Sequence, residues 1–455
     1  MSQPKQDQVI FQTTHIDSPI YIKEQKGHYQ RVRRLLSSML LCLFIVIPFF
    51  QYQGQQAVLF DLTSQKLHFF SFIFYPHDLL LFVFIFIIAA FLLFVVSKKY
   101  GRVWCGFTCP QTIWTLLFVW VEHRIEGNRA QRIALDSTPL TIKKIMLKTT
   151  KHFIWLLISA LTSLVFMSYF NPVTSLYTDL VTGNLSSTFL NWTFIFLVCT
   201  YINAGWIREK MCEHMCPYSR FQSVMFNEST SIVTYNNERG EQRGARKLKH
   251  SKPAHLGDCV DCNLCVHVCP VGIDIREGLQ YQCISCGLCI DACDQVMARF
   301  GYKERLISFA KTVRQTKNTA VIFYTLTIIA LAIAFSVWLS YRSPIELTVI
   351  KDRNTLYRQL STGQIENVFQ LKFINKSMQP ITLTLNTTLE NTFSISGGNS
   401  ITLMSQQSYQ KTLVIKSPVD YNTVVKPFNF ILKDAKTNNV VLARKSNFHA
   451  LSHTQ

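Results

Sequence analysis

Eight cysteines fall in two runs of one spacing. The first is Cys259-Val260-Asp261-Cys262-Asn263-Leu264-Cys265-Val266-His267-Val268-Cys269-Pro270, and the second is Cys283-Ile284-Ser285-Cys286-Gly287-Leu288-Cys289-Ile290-Asp291-Ala292-Cys293. Each reads C-x2-C-x2-C-x3-C, the run that holds a pair of [4Fe–4S] clusters. Three closely spaced thiolates bind three iron corners of one cube, and the fourth cysteine reaches across to the other cube. The spacing therefore predicts one cluster on Cys259, Cys262, Cys265 and Cys293, and a second on Cys269, Cys283, Cys286 and Cys289. Zinc and disulfides are the competing readings. Zinc usually takes paired ligands separated by a longer spacer, and disulfides are rare in a reducing cytoplasm. One departure stands out: Pro270 follows the first run, but Asp294 occupies the matching place after the second. Two adjacent clusters make an electron conduit without naming a substrate, because such potentials span about −700 to +450 mV.

Four further cysteines form a second pattern, C-x3-C-P, used twice. It occurs as Cys105-Gly106-Phe107-Thr108-Cys109-Pro110 and as Cys212-Glu213-His214-Met215-Cys216-Pro217. Proline favours the first turn of a helix, so Cys109 and Cys216 are expected at helix N-termini, where the dipole favours thiolate. The bland reading is a pair of inert cysteines at helix corners. The repetition favours redox or metal chemistry instead, because four thiols from two packed units supply a soft site suited to Cu(I). Met211, His214 and Met215 are weak further copper ligands on this reading, and Cys42 and Cys199 are core residues. The chain has no C-x-x-C-H for covalent haem, no G-x-G-x-x-G and no G-x4-G-K-[ST].

These motifs need a frame, and composition says what kind. Of 455 residues 48% are hydrophobic, 34 are phenylalanine and 16% are charged, against about 25% charged in soluble domains. A simple soluble enzyme and a disordered chain are both disfavoured. Five stretches are apolar for long enough to cross a bilayer core of about 30 Å: Leu35–Tyr52, Leu79–Val96, Phe153–Phe170, Phe189–Ile207 and Ala320–Leu339. The chain carries 46 lysines and arginines against 27 acidic residues, a net +19. The basic residues number six before the first span, ten in 97–152 and sixteen in 208–319, but one in 53–78 and none in 171–188. Positive loops stay inside. The amino terminus and the 208–319 segment are therefore expected in the cytoplasm, and residues 340–455 on the other side.

That tail has no cysteine and alternates apolar with polar residues at Ile345–Ile350, Phe369–Ile374, Ile381–Leu385 and Leu413–Ile415, between turn-rich stretches. This is the pattern of a small β-sandwich. The expected organisation is a cytoplasmic segment 1–34, four spans with both C-x3-C-P motifs in 35–207, a cytoplasmic two-cluster domain 208–319, a fifth span 320–339 and a sandwich 340–455. Each C-x3-C-P motif lies at the inner end of a span, so the membrane part reads as a two-span unit used twice.

Three stretches carry a resemblance: Gly101–Thr112, Met215–Ser223 and Cys269–Gln280. They resemble the FixG/CcoG family of cytochrome c oxidase accessory proteins, and the likeness covers nearly the whole chain. The C-x3-C-P pairs are shared more widely, with membrane ferredoxins of the NapH and NosR kind. The resemblance implies a multi-domain protein of a bacterial inner membrane. Its parts would be a bundle of five transmembrane helices, an inserted dicluster ferredoxin-like domain and a C-terminal all-β immunoglobulin-like sandwich in the periplasm. It also implies reduction of Cu(II) to Cu(I) for the oxidase copper centre. The partners would then be oxidase subunits or copper-delivery proteins and a cytoplasmic electron donor, with no nucleic acid. Two alternatives stand beside a cupric reductase using Cys105, Cys109, Cys212 and Cys216. One is a quinone-linked electron-transfer subunit; the other is an assembly scaffold whose clusters are structural.

Overall fold

The computed structural model describes residues 20–226, 229–248, 253, 255–310, 319–341, 343–352, 355–377, 379–389, 392–419 and 423–450. Residues 1–19, over half of the expected cytoplasmic segment 1–34, lie outside the described residues. Two units are present. One runs to Gln51 and from Leu80 to Ile333; the other joins Tyr52–Leu79 to the chain beyond Ala334.

Five helices are long and apolar enough to span a membrane: His28–Phe49, Leu80–Tyr100, Ile142–Met167, Ser187–Ile207 and Thr319–Ser340. They match the five sequence segments in number and order, with shifted ends. The first begins at His28, seven residues before the apolar stretch, because its N-terminus finds a cap elsewhere in the chain. Gly27 has no side chain to offer, and the Asp291 carboxylate accepts the N–H groups of Tyr29 (3.1 Å) and Gln30 (2.9 Å). This supplies two of the orphan donors that every helix start leaves. The third begins at Ile142, with the Thr141 hydroxyl accepting the Lys144 N–H.

The segment 97–152 is more than the plain cytoplasmic loop expected from its charge. Its helix Pro110–Ile125 packs along the third span. Trp114 donates to the Thr162 hydroxyl at 3.2 Å, and Phe118 stacks on Trp155 with ring centres 5.1 Å apart. Beyond them charged groups are buried together. Glu122 pairs with Arg132 and Arg208, both at 2.5 Å, and Glu126 with Lys148 and Lys151, both at 2.9 Å. Arg208 precedes Cys212, so this network joins the two C-x3-C-P segments. After the Ser187–Ile202 helix the backbone widens into two π-helical turns, Asn203–Ile207 and Met211–Met215. Such turns recur at functional sites.

The ferredoxin part of this unit pairs strand Ile232–Tyr235 with Ile307–Ala310 and carries the short helices Leu264–His267 and Leu288–Phe300.

Among its described residues the second unit is built of β-strands apart from the end of the Thr319–Ser340 helix and the 3-10 turn Pro76–Asp78. One sheet orders the strands Ser394–Ser396, Ser408–Lys416, Ile365–Asn375 and Ile345–Lys351; the other orders Ser400–Leu403, Ile381–Thr387, Val425–Asp434 and Val440–His449. Alternate residues of both sheets, among them Phe369, Phe373, Leu413, Phe430 and Phe448, close one core. All four predicted strands lie inside observed ones. The segment 53–78, expected as a short outer loop, is itself a small antiparallel sheet of Val58–Asp61, Lys66–Phe69 and Phe72–Phe74. Its Ile73 and Tyr75 bury against Ile374 of the sandwich. The Lys376 ammonium sits between Asp78 (3.2 Å) and Glu346 (2.8 Å). The strands of this small sheet are only three or four residues long, too short for a pattern to mark them in the sequence.

Candidate functional site

The two cysteine runs fold alike. Asp261 and Ser285, at matching places between the first two cysteines, both have positive φ (48° and 51°), as do Asn263 and Gly287 (54° and 74°) after the second. Glycine and short polar residues tolerate this geometry best. The resulting curl turns the thiols inward. Cys259, Cys262, Cys265 and Cys293 line one cavity, walled by Val260, Met297 and Ile307. Cys269, Cys283, Cys286 and Cys289 line another, which also touches Cys265 and is walled by Val271, Ile273 and Ile284. Burial pushes the free thiols of Cys265 and Cys293 up to about 12 and Cys283 to about 11. Iron must therefore supply the compensating charge as the thiolates form.

The surroundings fit an anionic cluster. Arg33 is buried (3% exposed), and its Nε–H has no hydrogen-bond partner. Its guanidinium lies within electrostatic reach of Cys269 and Cys286. A buried, unpartnered cation is costly unless an anion faces it. Arg276 also lies within electrostatic reach of Cys265, but it is paired with Asp274 and Asp261. Among the described residues no three His, Cys, Asp or Glu side chains converge closely enough to hold a single metal ion. This holds for the ferredoxin cysteines and for Cys105, Cys109, Cys212 and Cys216 alike.

The C-x3-C-P pairs are built on one plan. Cys109 and Cys216 are the N-cap residues of Pro110–Ile125 and Pro217–Met225. Seven residues after each first cysteine a hydroxyl bonds back to its carbonyl. Thr112 donates to Cys105 O at 2.5 Å and Ser219 to Cys212 O at 2.6 Å. The four thiols influence one another electrostatically, Cys109 with Cys216 and Cys105 with all three others. The helix-start position holds, but the expected thiolate does not follow at Cys109. Burial raises its pKa and outweighs the N–H groups of Gln111 and Thr112 that favour the anion. Burial likewise takes Cys105 to about 12 and Cys212 to about 11. Of the weaker candidates, Met211 is half-buried, Met215 is largely exposed and His214 lies 3.7 Å from Glu213. Cys42 and Cys199, expected in the core, are exposed on their span helices.

The first pair touches the ferredoxin part directly. Cys105 packs against the buried cluster that contains Val268, Ile284 and Cys286. A Cβ on Gly106 would lie 2.6 Å from Ile284 O and 2.9 Å from Cys286 Cα, so only glycine allows this approach. Arg102, 3% exposed, donates to Tyr281 O and Ser219 O, both at 2.5 Å, and covers the Tyr281 ring. The Cys105 thiol donates to Gln222 Oε1 at 3.3 Å, and Gln222 is fully buried. Sequence reasoning missed Arg33, Arg102, Gly106 and Gln222. The flanking Gly101-Arg102-Val103-Trp104 carried only a motif signal, and nothing in the sequence marked Arg33 among its basic neighbours.

Comparison with known proteins agrees with this anatomy. Residues 207–312 match the 4Fe-4S dicluster domain family, and residues 335–450 match the immunoglobulin-like fold at the C-terminus of FixG. The chain is 34% identical over 419 residues to the nitrogen fixation protein FixG of Rhizobium meliloti, covering 82% of this chain and 79% of that protein. It is 35% identical over 380 residues to the protein RdxB of Cereibacter sphaeroides, covering 79% of each. A FixG-related protein from Vibrio parahaemolyticus, of known structure, is 27% identical over 24% of this chain and 97% of its own, with a TM-score of 0.22. Paired cysteine runs, five apolar helices and a C-terminal sandwich thus coincide with sequence identity over most of the chain, which belongs to the FixG/Rdx family of membrane iron–sulfur electron-transfer proteins.

Proposed function

We propose that this protein reduces Cu(II) to Cu(I) in the service of cytochrome c oxidase assembly, with Cys105, Cys109, Cys212 and Cys216 as the copper-handling thiols. Two [4Fe–4S] clusters, held by Cys259, Cys262, Cys265 and Cys293 and by Cys269, Cys283, Cys286 and Cys289, supply one-electron carriage. Copper is the substrate. Each Cu(II) gains one electron from a reduced cytoplasmic carrier and becomes Cu(I), with no bond to carbon or hydrogen made or broken.

One observation carries the reading: the Cys105–Cys109 loop lies against the Cys283–Cys289 loop, with Gly106 on the backbone of Cys286. Short separation favours electron transfer between the two. Thiolate sulfur favours Cu(I) over Cu(II), which makes the reduction easier. The raised pKa of Cys105 and Cys212 gives each metal-free thiol a proton to release when a cation arrives. The deciding experiment is Cu(II) reduction by purified, cluster-replete protein given a chemical electron donor. Formation of Cu(I) that stops when the four cysteines are replaced supports the proposal; Cu(I) formation unchanged by their loss overturns it.

The quinone-linked alternative is favoured by one cavity. A space of about 280 Å3 lies among Arg33, Ser37, Leu41, Thr115 and Leu116, beside Pro270 and Leu288 of the second cluster's loops. Apolar walls with a few polar groups are usual for small-molecule sites. Cluster reduction that requires added quinol selects this reading.

The orientation belongs to the proposal too, with 1–34 and 208–319 in the cytoplasm and 340–455 in the periplasm. It rests on the asymmetry of basic residues between loops. A reporter fused after Gln455 should be active only in the periplasm, and one inserted at 236–244 only in the cytoplasm.

A further inference from the structure

The two cysteine cavities sit in opposite electrostatic settings. Around the second, two arginines act on the thiols, while the Glu213 carboxylate is held by the Gln282 amide at 3.1 Å. Arg33 lies by Cys269 and Cys286, and Arg102 by Cys283. Among the described residues neither arginine forms an ion pair. Arg102 is satisfied by the carbonyls of Tyr281 and Ser219, which carry no net charge. The closest carboxylate in sequence, Asp291, is occupied at the N-terminus of the His28 helix, where its charge faces the N–H groups of Tyr29 and Gln30.

Around the first cavity the balance is reversed. The arginine that lines it, Arg276, is held by Asp274 at 2.6 Å and Asp261 at 2.7 Å, so two carboxylates offset its charge, with Arg243 further off acting on Asp274. Asp261 lies inside the ligand run, between Cys259 and Cys262. Asp294, the residue that replaces the second proline, follows Cys293 and adds its own negative influence on that thiol, partly offset by Arg305, whose backbone N–H donates to it at 2.6 Å.

Adding an electron to either site adds negative charge. A neighbouring cation stabilises the reduced form, and a neighbouring carboxylate destabilises it. We infer that Arg33 and Arg102, against Asp261, Asp274 and Asp294, give the Cys269/Cys283/Cys286/Cys289 site the higher reduction potential of the two. The favoured place for an electron is then the site that abuts Cys105 and Gly106. The charge pattern thus biases electrons toward the Cys105–Cys109 pair and away from the Cys259/Cys262/Cys265/Cys293 site. This rests on the ligand sets and the electron route proposed above.

The test is a redox titration followed by electron paramagnetic resonance, on the full chain with both clusters assembled in lipid nanodiscs. Cys262→Ser and Cys286→Ser, each confined to one run, assign the two signals. The signal altered by Cys286→Ser should be the first to appear as the potential falls. Arg33→Gln should lower that midpoint enough to cut its reduced-to-oxidised ratio about tenfold at fixed ambient potential, about 59 mV for one electron. Arg33→Lys, which keeps the charge, should retain most of the parental value. Asp261→Asn should raise the other midpoint. The inference is overturned if the Cys262-dependent signal appears first, or if Arg33→Gln leaves the midpoint in place. Should Arg33→Gln fail to assemble its cluster, Asp261→Asn decides alone: a raised midpoint supports the inference and an unmoved one overturns it. The order of midpoints is read without copper. A correct order with no Cu(II) reduction would sink the copper reading alone, and a reversed order with Cu(II) reduction intact would sink this one alone.

Discussion

Thr112 and Ser219 make the same hydrogen bond at equivalent places in the two C-x3-C-P segments, one to the carbonyl of Cys105 and the other to that of Cys212. In each segment a hydroxyl one turn into the helix ties down the residue that begins the motif. The chain thus uses one local device twice, and the repeat seen in cysteine spacing extends to backbone geometry. Each second cysteine is left at a helix start, and at Cys109 the N–H groups of Gln111 and Thr112 reach its sulfur.

The ion network that links these segments should be expensive to break. Glu122 is 3% exposed and joins Arg132, which follows the first pair, to Arg208, which precedes the second. Removing one partner from a buried pair typically costs about 3–5 kcal/mol, because the remaining charges stay buried without a counter-ion. Here Arg208 would be stranded, and Arg132 would be left with Glu126 alone, 3.6 Å away. Glu122→Ala should therefore lower the midpoint of unfolding in detergent markedly, while Glu122→Gln, which keeps shape and hydrogen bonds, should lose less. Equal losses for the two would show that packing, not charge, holds the segments together.

Gly106 is the contact between the first pair and the second cysteine run. A methyl group there meets backbone atoms of Ile284 and Cys286, which cannot rotate away as a side chain could. Overpacking of this kind costs about 1–3 kcal/mol, and the cheapest relief is separation of the two loops. Gly106→Ala should keep both clusters, since it removes no ligand, yet slow Cu(II) reduction and raise hydrogen exchange of residues 281–289. Parental exchange and parental rate together would mean that the loops need not touch for function.

Much of this was legible from residue spacing. The paired runs announce their chemistry because a cube demands thiols at short fixed intervals, and the spans announce themselves because lipid demands unbroken apolar stretches. Four of the sandwich strands were readable from alternation alone, whereas Val425–Asp434 and Val440–His449 were not. Other features depend on residues far apart in the chain. Arg33 is one basic residue in a basic stretch until the fold carries it to Cys269 and Cys286. The cap on Tyr29 and Gln30 comes from Asp291, about 260 positions later. The protonation state of Cys109 was misjudged for a similar reason: a helix start is visible in the sequence, whereas the burial that opposes thiolate formation is not.

The crossed ligand assignment has its own test. Cys269 belongs in sequence to the first run, yet it lines the cavity of Cys283, Cys286 and Cys289. Cys269→Ala should perturb the same paramagnetic signal as Cys286→Ser and lower iron content accordingly. Damage confined to the signal that Cys262→Ser affects would contradict the crossing.

The sharpest prediction concerns Cys109 and Cys216. Both cap helices, and they influence each other electrostatically. The eight ferredoxin cysteines already suffice for two cubes, so neither is needed to hold iron. Serine keeps the size and a hydrogen-bonding oxygen but removes the soft sulfur that prefers Cu(I). Cys109→Ser combined with Cys216→Ser should therefore leave both [4Fe–4S] signals intact while abolishing Cu(II) reduction and copper retention. Met211→Leu and Met215→Leu should cost far less, because Met215 is largely exposed and thioethers carry no charge to offer a cation. Reduction at the parental rate in the double serine variant would make the two cysteines structural corners and move the copper site elsewhere in the protein.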